Sequence, residues 1–348
     1  MKIILKLLCA ALIVAVLFTV LNHLDFADMY NAATQKLSQI PLKNSEETTP
    51  SKTETHTVYN TPTAPTVLPY SQISDTGQSQ DYGYCYAQMN ERQQLYYRLM
   101  LSAFEDMYLE FFELSNSDPN CKNNINVAFN GLLNDHPEIF WHNNTYEIKV
   151  TNNTEYSLKL GFSMSKITRD QKRQQLNAKI EEIINETHHL TDSEKELYFY
   201  NYLCNNTAYS LANNQNVYTA FGALYENVAV CEGYAKAMQL LCNAANIECL
   251  LVRGTANNNL HVWNLVNLCD GWYEVDVTLS DRGETGINYL YFNATTAEIS
   301  TTHTRLNDIN SIDVTTDFSK LSYNFLLPNA TATLYNRDII SEHYEYAP

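Results

Sequence analysis

Three residues in the C-terminal half of the sequence have the types and the order that thiol chemistry needs: Cys231, His261 and Asp276. A thiol is a strong nucleophile when ionised, and a helix N-terminus or a nearby imidazolium stabilises the thiolate. A histidine beside it can hold the proton and return it to a leaving amine. A carboxylate on the other ring nitrogen fixes tautomer and orientation. In this reading Cys231 is the nucleophile, His261 its base and Asp276 the orienting acid. Isolated residues of these types are usually structural, which is how Cys242, Cys249, His136, His188 and His189 are read. Cys231 differs because it opens a helical pattern and has its partners downstream in the right order.

The flanking elements must bring the three together. From Cys231 onward, Tyr234, Ala237, Met238, Leu241, Cys242 and Ala245 fall on one helical face, which predicts a helix with Cys231 in its first turn. Glu248 to Arg253 reads as a strand, Gly254 to Leu260 as a polar loop, and HVWNLVNL from His261 as a second strand. A Cys-Asp-Gly turn then leads into a third strand, WYEVDVT, that carries Asp276. A turn centred on Cys269 and Asp270 puts His261 and Asp276 on one face, a diagonal step of roughly 7–8 Å apart. A turn centred on Asp270 and Gly271 staggers them by roughly 13 Å and separates the pair. The first register is the expected one.

The stretch VCEGYAKAMQLLCNAANIECLLVRGTANNNLHVWNLVNLCDGWYEVDVT resembles the core of bacterial transglutaminase-like domains. The resemblance rests on VCEGYA around Cys231, GTA with H-x-W-N around His261, and W-Y-x-V-D-V-T around Asp276, and extends from about Tyr82 to Pro328. It implies a papain-like Cys-His-Asp arrangement on an α+β fold, with the cysteine-bearing helix packed on an antiparallel sheet that carries His and Asp. It further implies acyl transfer from peptide or side-chain amides through a thioester on Cys231. The sequence departs from the family pattern at Val262, where Ala is usual, and at Leu279 and Ser280, where Trp-Asp often follows. These changes bear on the substrate groove rather than on the three chemical groups. A non-catalytic peptide-binding or surface-protein-binding module on the same fold is the alternative.

Trp263, Asn264, Tyr218 and Tyr225 are candidates for substrate contacts, although packing is the commoner role for such residues. Sequons such as those at Asn143 and Asn205 arise readily in an Asn- and Thr-rich chain. No Cys-x-x-Cys pair suggests a structural metal, and no cofactor is expected.

The remainder of the chain supplies context. Lys2 and Lys6 precede an uncharged apolar stretch, Leu7 to Leu24, close to the length that spans a bilayer and without a clear small-x-small cleavage site. This predicts an N-terminal anchor over residues 1–25 with the rest outside the cytoplasm, or a secreted protein if the segment is cleaved. Residues 26–81 read as a Ser/Thr/Pro-rich linker, 82–189 as a leading subdomain of helices plus a small sheet, 190–328 as the catalytic domain and 329–348 as a tail. In the leading part, Asn90 caps a helix whose apolar positions run from Leu95 to Phe111, Tyr156 to Met164 alternates as a strand, and a helix covers Arg169 to Asn185. Another helix starts at the capping box Thr191–Glu194. The net charge of −17 excludes nucleic acid as an expected partner. The expected partners are protein or peptide substrates of the envelope or extracellular space. Seven cysteines lie outside the apolar stretch. With Cys231 reduced, the other six could form three disulfides.

Overall fold

In the computed structural model, residues 83–306 and 325–338 are described, apart from 116, 117, 153, 212, 213, 282, 284 and 285. The expected anchor and the whole of the expected linker lie outside these residues. Among the described residues no helix is long and apolar enough to cross a membrane.

The leading half is built from local signals. Helix α1 (Glu91–Asp106) starts at Asn90, whose side chain accepts from the Arg92 and Gln93 backbone N–H groups while Gln93 reaches back to the Asn90 N–H. It stops five residues short of the expected end because Met107 adopts a left-handed conformation, φ 49°, which leaves Phe111 outside and exposed. Strand β1 (Phe112–Ser115) and helix α2 (Cys121–Asp135) follow. Strands β2 (His142–Thr151) and β3 (Glu155–Phe162) complete an antiparallel sheet of order β1-β3-β2. Leu158 and Leu160, on the alternating face read from the sequence, are buried. Helix α3 (Lys166–Thr187) is capped by Ser165, and α4 (Asp192–Asn206) by the Thr191–Glu194 box.

The two halves share one apolar core, from Cys85 to Ala332. The segment before β2 joins them. Phe140 stacks on Phe221 at 5.2 Å, Trp141 donates its indole N–H to Phe104 O at 3.0 Å, and Arg169 lies over the Trp141 ring. From the second half, Gln239 donates to Asn134 O at 2.9 Å. Part of the expected tail belongs to this body, since Ala330 and Ala332 are buried.

The second half begins with a short parallel pair, β4 (Ala208–Tyr209) and β5 (Val228–Ala229). Helix α5 (Cys231–Ala244) then packs on an antiparallel sheet of order β8-β7-β6-β9, formed by β6 (Cys249–Ala256), β7 (Asn259–Leu268), β8 (Gly271–Val275) and β9 (His303–Arg305). Two expectations are corrected here. The stretch from Gly254 is no loop: β6 runs to Ala256 and turns into β7 through Asn257 and Asn258, both left-handed at φ 49° and 65°. A two-residue hairpin turn with positive φ at both positions suits Asn almost as well as Gly. The strand expected to carry Asp276 ends at Val275, and Asp276 instead caps a single helical turn, Val277–Ser280.

Candidate active site

Cys231 is the first residue of α5, and it is held there by close backbone approach. Val230 N–H donates to Val217 O at 2.9 Å, and a Cβ on Gly233 would sit 2.4 Å from that same oxygen, so the helix start can lie this close to residues 215–218 only with glycine at 233. Val230 at the N-cap supplies no side-chain cap, so among the described residues the first N–H groups of the helix stay available beside the half-buried thiol. The neighbouring Glu232 is partly buried between Lys236, at 2.9 Å, and Arg253, at 3.0 Å. Burial opposes its charge, but the two cations outweigh that and hold the carboxyl well below the ordinary range. This cluster ties α5 to β6.

His261 and Asp276 meet through the expected register. Leu268 faces Gly271 and Asn264 faces Val275, so the turn centres on Cys269 and Asp270 and the two functional residues lie a diagonal step apart. His261 Nε2–H donates to Asp276 Oδ2 at 2.7 Å, both residues being buried. The Cys231 side chain is near enough to His261 to act on its charge, and with Nε2 used by the carboxylate, Nδ1 is the ring nitrogen left for a thiol. Burial disfavours the imidazolium, yet the Asp276 carboxylate outweighs burial and Cys231 adds to it, lifting the His261 pKa to about 10. For Asp276, burial is again the largest influence and again loses. His261 and then His303 hold the carboxyl at about 2.

His303 is the participant that the sequence reading missed. Its Nε2–H donates to the same Asp276 Oδ2 at 2.9 Å. Strand β9 reaches the site only by pairing with β6, where Ala256 faces His303, and no local spacing announces that long-range contact. The ligand-type atoms of His261, Asp276 and His303 lie within 4.8 Å of one another, close enough for a metal ion. Both imidazoles, however, spend their Nε2–H groups on the carboxylate, so they act as donors to it rather than as open lone pairs.

The four expected substrate contacts divide. Trp263 is 1% exposed and Asn264 fully buried, which corrects their assignment to a substrate groove. Trp263 stacks beside His261 and donates to Glu274 Oε2 at 2.7 Å, while Asn264 donates to Ala235 O at 2.9 Å and fastens α5 to the sheet. Tyr218 and Tyr225 are exposed, and Tyr225 stacks on Phe221. Tyr209, missed in the sequence, is half exposed and lies near both Cys231 and Tyr218. Burial and then the Cys231 side chain raise its phenol. Among the described residues every cysteine is unpaired, so the three disulfides considered from the sequence are absent there.

Comparison with known proteins agrees with the motif reading. Residues 178–277 match the family model described as the transglutaminase-like superfamily. Among solved structures, a TGase is 16% identical with a TM-score of 0.29, over 38% of this chain and 43% of that one. A protein of Cytophaga hutchinsonii described as a candidate cysteine protease is 17% identical with a TM-score of 0.27, over 38% of this chain and 61% of its own. The periplasmic domain of TgpA from Pseudomonas aeruginosa, bound to ethylmercury, is 16% identical with a TM-score of 0.26, over 39% and 65%. The chain thus spans less than two thirds of the length of each of these proteins. No curated protein matches it. Residues 178–277, which include Cys231, His261 and Asp276, are a domain of the transglutaminase-like superfamily.

Proposed function

We propose that this chain is a thiol acyltransferase or hydrolase acting on peptide or side-chain amides of proteins, with Cys231 as nucleophile, His261 as base and Asp276 as orienter. The observation that carries the reading is the buried 2.7 Å contact between His261 Nε2 and Asp276 Oδ2, with Cys231 near enough to the same imidazole to help raise its pKa. The Cys231 sulfur attacks the amide carbonyl, and N–H groups at the open start of α5 stabilise the oxyanion. The C–N bond then breaks, His261 gives its proton to the departing amine, and a thioester remains on Cys231. Water or a lysine amine attacks that thioester, His261 takes the proton, and the thiolate leaves. Water makes the reaction hydrolysis and an amine makes it cross-linking.

The proposal includes location. The uncharged run Leu7 to Leu24 behind Lys2 and Lys6 supports an N-terminal anchor with the domain outside the cytoplasm, and hence envelope or extracellular proteins as substrates. Full-length protein incubated with dye-labelled casein, with and without dansylcadaverine, tests the chemistry: released peptides report hydrolysis and incorporated amine reports transfer. Cys231→Ala is expected to lower either activity by roughly four orders of magnitude without unfolding the protein. Unchanged turnover in that variant removes the reading.

A further inference from the structure

Strand β9 makes a paired contact across the sheet. Glu274 and Asp276, two residues apart, receive side chains from two strands at once. Trp263 and His261 come from β7, and Arg305 and His303 from β9. Because β6 lies between β7 and β9, the β9 side chains must cross it to reach the acids. They cross where β6 carries Gly254. A Cβ there would meet Thr304 O at 2.1 Å and the Trp263 ring at 2.9 Å.

We propose that His303 is a positioning residue for the Cys231 chemistry, holding Asp276 Oδ2 at the point where His261 needs it. The proposal rests on the thiol acyl-transfer reading above. Asp276 is fully buried, so its rotation is set by its donors. Leu279 N–H holds Oδ1 at 3.1 Å, and His261 and His303 together hold Oδ2 at 2.7 and 2.9 Å. His303 is itself fixed. Its Nδ1 bonds Thr302 Oγ1 at 2.8 Å, and its ring packs on Trp263 at 4.9 Å, Tyr291 at 5.5 Å and His261 at 5.7 Å. The titratable and charged groups facing it are Asp276, His261 and Tyr291, with the Arg305–Glu274 pair one step along the strand. A plain core histidine would need only the ring packing. The positioning role needs the Nε2–H donor, which places the second imidazole on the oxygen that His261 uses.

Two substitutions separate donor from shape. His303→Gln keeps an N–H at similar reach, and His303→Phe keeps the ring without the donor. The probe is iodoacetamide, with the alkylation rate of Cys231 followed against pH by peptide mass spectrometry on the full-length protein, alongside casein turnover. In His303→Phe the carboxylate loses its register on His261, so the imidazolium gives up its proton at lower pH and the alkaline step of the Cys231 profile moves down. Turnover falls about 10-fold or more with KM little changed. His303→Gln stays near wild type in both. Equal loss in the two variants, or a wild-type profile and turnover in folded His303→Phe, overturns the proposal. If His303→Phe does not fold, His303→Gln decides, by proton NMR as well. Wild type should show two downfield imidazole N–H resonances and His303→Gln one, and a single resonance in wild type rejects the shared oxygen. Absence of Cys231-dependent turnover in wild type sinks the acyl-transfer reading and the positioning role together. Turnover that depends on Cys231 but not on the residue at 303 sinks the positioning role alone.

Discussion

Two fully buried carboxyl groups in this molecule meet opposite fates. Asp276 has three donors and is kept charged, its pKa held at about 2. Among the described residues Glu196 on α4 has one, the Asn293 side-chain amide at 3.0 Å, while its Oε1 has no partner there, and burial pushes it up to about 8. Both lie at 0% exposure. Burial therefore does not decide the charge. The number and kind of donors on the carboxylate do, and the site concentrates cationic or cation-forming donors where the distal core supplies one amide.

The largest effect follows from removing the charge at the better-supplied acid. Asp276→Asn keeps the volume but cannot stabilise a His261 imidazolium, so turnover of labelled casein should fall by about 10⁴-fold. Folding should survive near neutral pH with a lowered melting temperature, and that loss has a defined pH signature. Asp276 is depressed from 3.8 to about 2, so its contribution is present above pH 3.8 and disappears as pH falls through 2. His261 is raised from 6.5 to about 10, so its contribution is full below pH 6.5 and disappears as pH rises through 10. The melting difference between wild type and Asp276→Asn should thus be widest between pH 3.8 and 6.5 and close on both sides. A pH-independent difference would mean that the pair does not exchange charge as described.

Gly254→Ala comes next, because the added methyl meets a backbone oxygen, Thr304 O, rather than a movable side chain. Loss of β9 pairing would release His303 and Arg305 together, leaving the buried Asp276 and Glu274 short of donors. The expected cost is about 2–4 kcal/mol in denaturant unfolding, with turnover reduced in the fraction that folds. A variant with wild-type stability would show that β9 moves aside freely.

How much of this was legible without coordinates depended on the range of the contact. The start of α5 at Cys231, the cap at Asn90, the box at Thr191 and the β7–β8 register all follow from residues within a few positions of one another. The Asn257–Asn258 turn reads as loop because the usual hairpin signal is Asn-Gly, and two Asn residues adopt the same backbone less conspicuously. Trp263 and Asn264 sit beside His261 in the motif, but alternation along β7 and the packing of α5 turn both into the core. His303 and Tyr209 reach the site by tertiary pairing alone, which no periodicity encodes.

Glu196→Gln sharpens the comparison from the other side. A carboxyl raised from 4.5 to about 8 leaves the folded state holding a proton that the unfolded chain releases, so its favourable contribution is full below pH 4.5 and is lost as pH rises through 8. Wild type should therefore weaken between pH 4.5 and 8 relative to Glu196→Gln, by on the order of a few kcal/mol at the upper end. Activity per folded molecule should be unchanged. Parallel stability profiles for the two proteins would show that Glu196 finds a partner for its free oxygen and is no counterexample to Asp276.

The smallest effect belongs to Trp263, and it tests whether the two acids of the site are supplied in the same way. Glu274 accepts from Trp263 Nε1 at 2.7 Å, from Thr296 Oγ1 at 2.9 Å and from Arg305. Trp263→Phe removes one neutral donor of the three and leaves the Arg305 cation in place, so the carboxylate stays paired. The expected loss is about 1–2 kcal/mol from the missing hydrogen bond and the smaller ring. Because Trp263 is buried beside His261, KM for casein should hold and kcat should change by less than about 10-fold. A large rise in KM would instead place the indole against substrate. A stability loss matching that of Gly254→Ala would mean that Arg305 and Thr296 cannot hold Glu274 without the indole, and that each acid needs its donors from both β7 and β9.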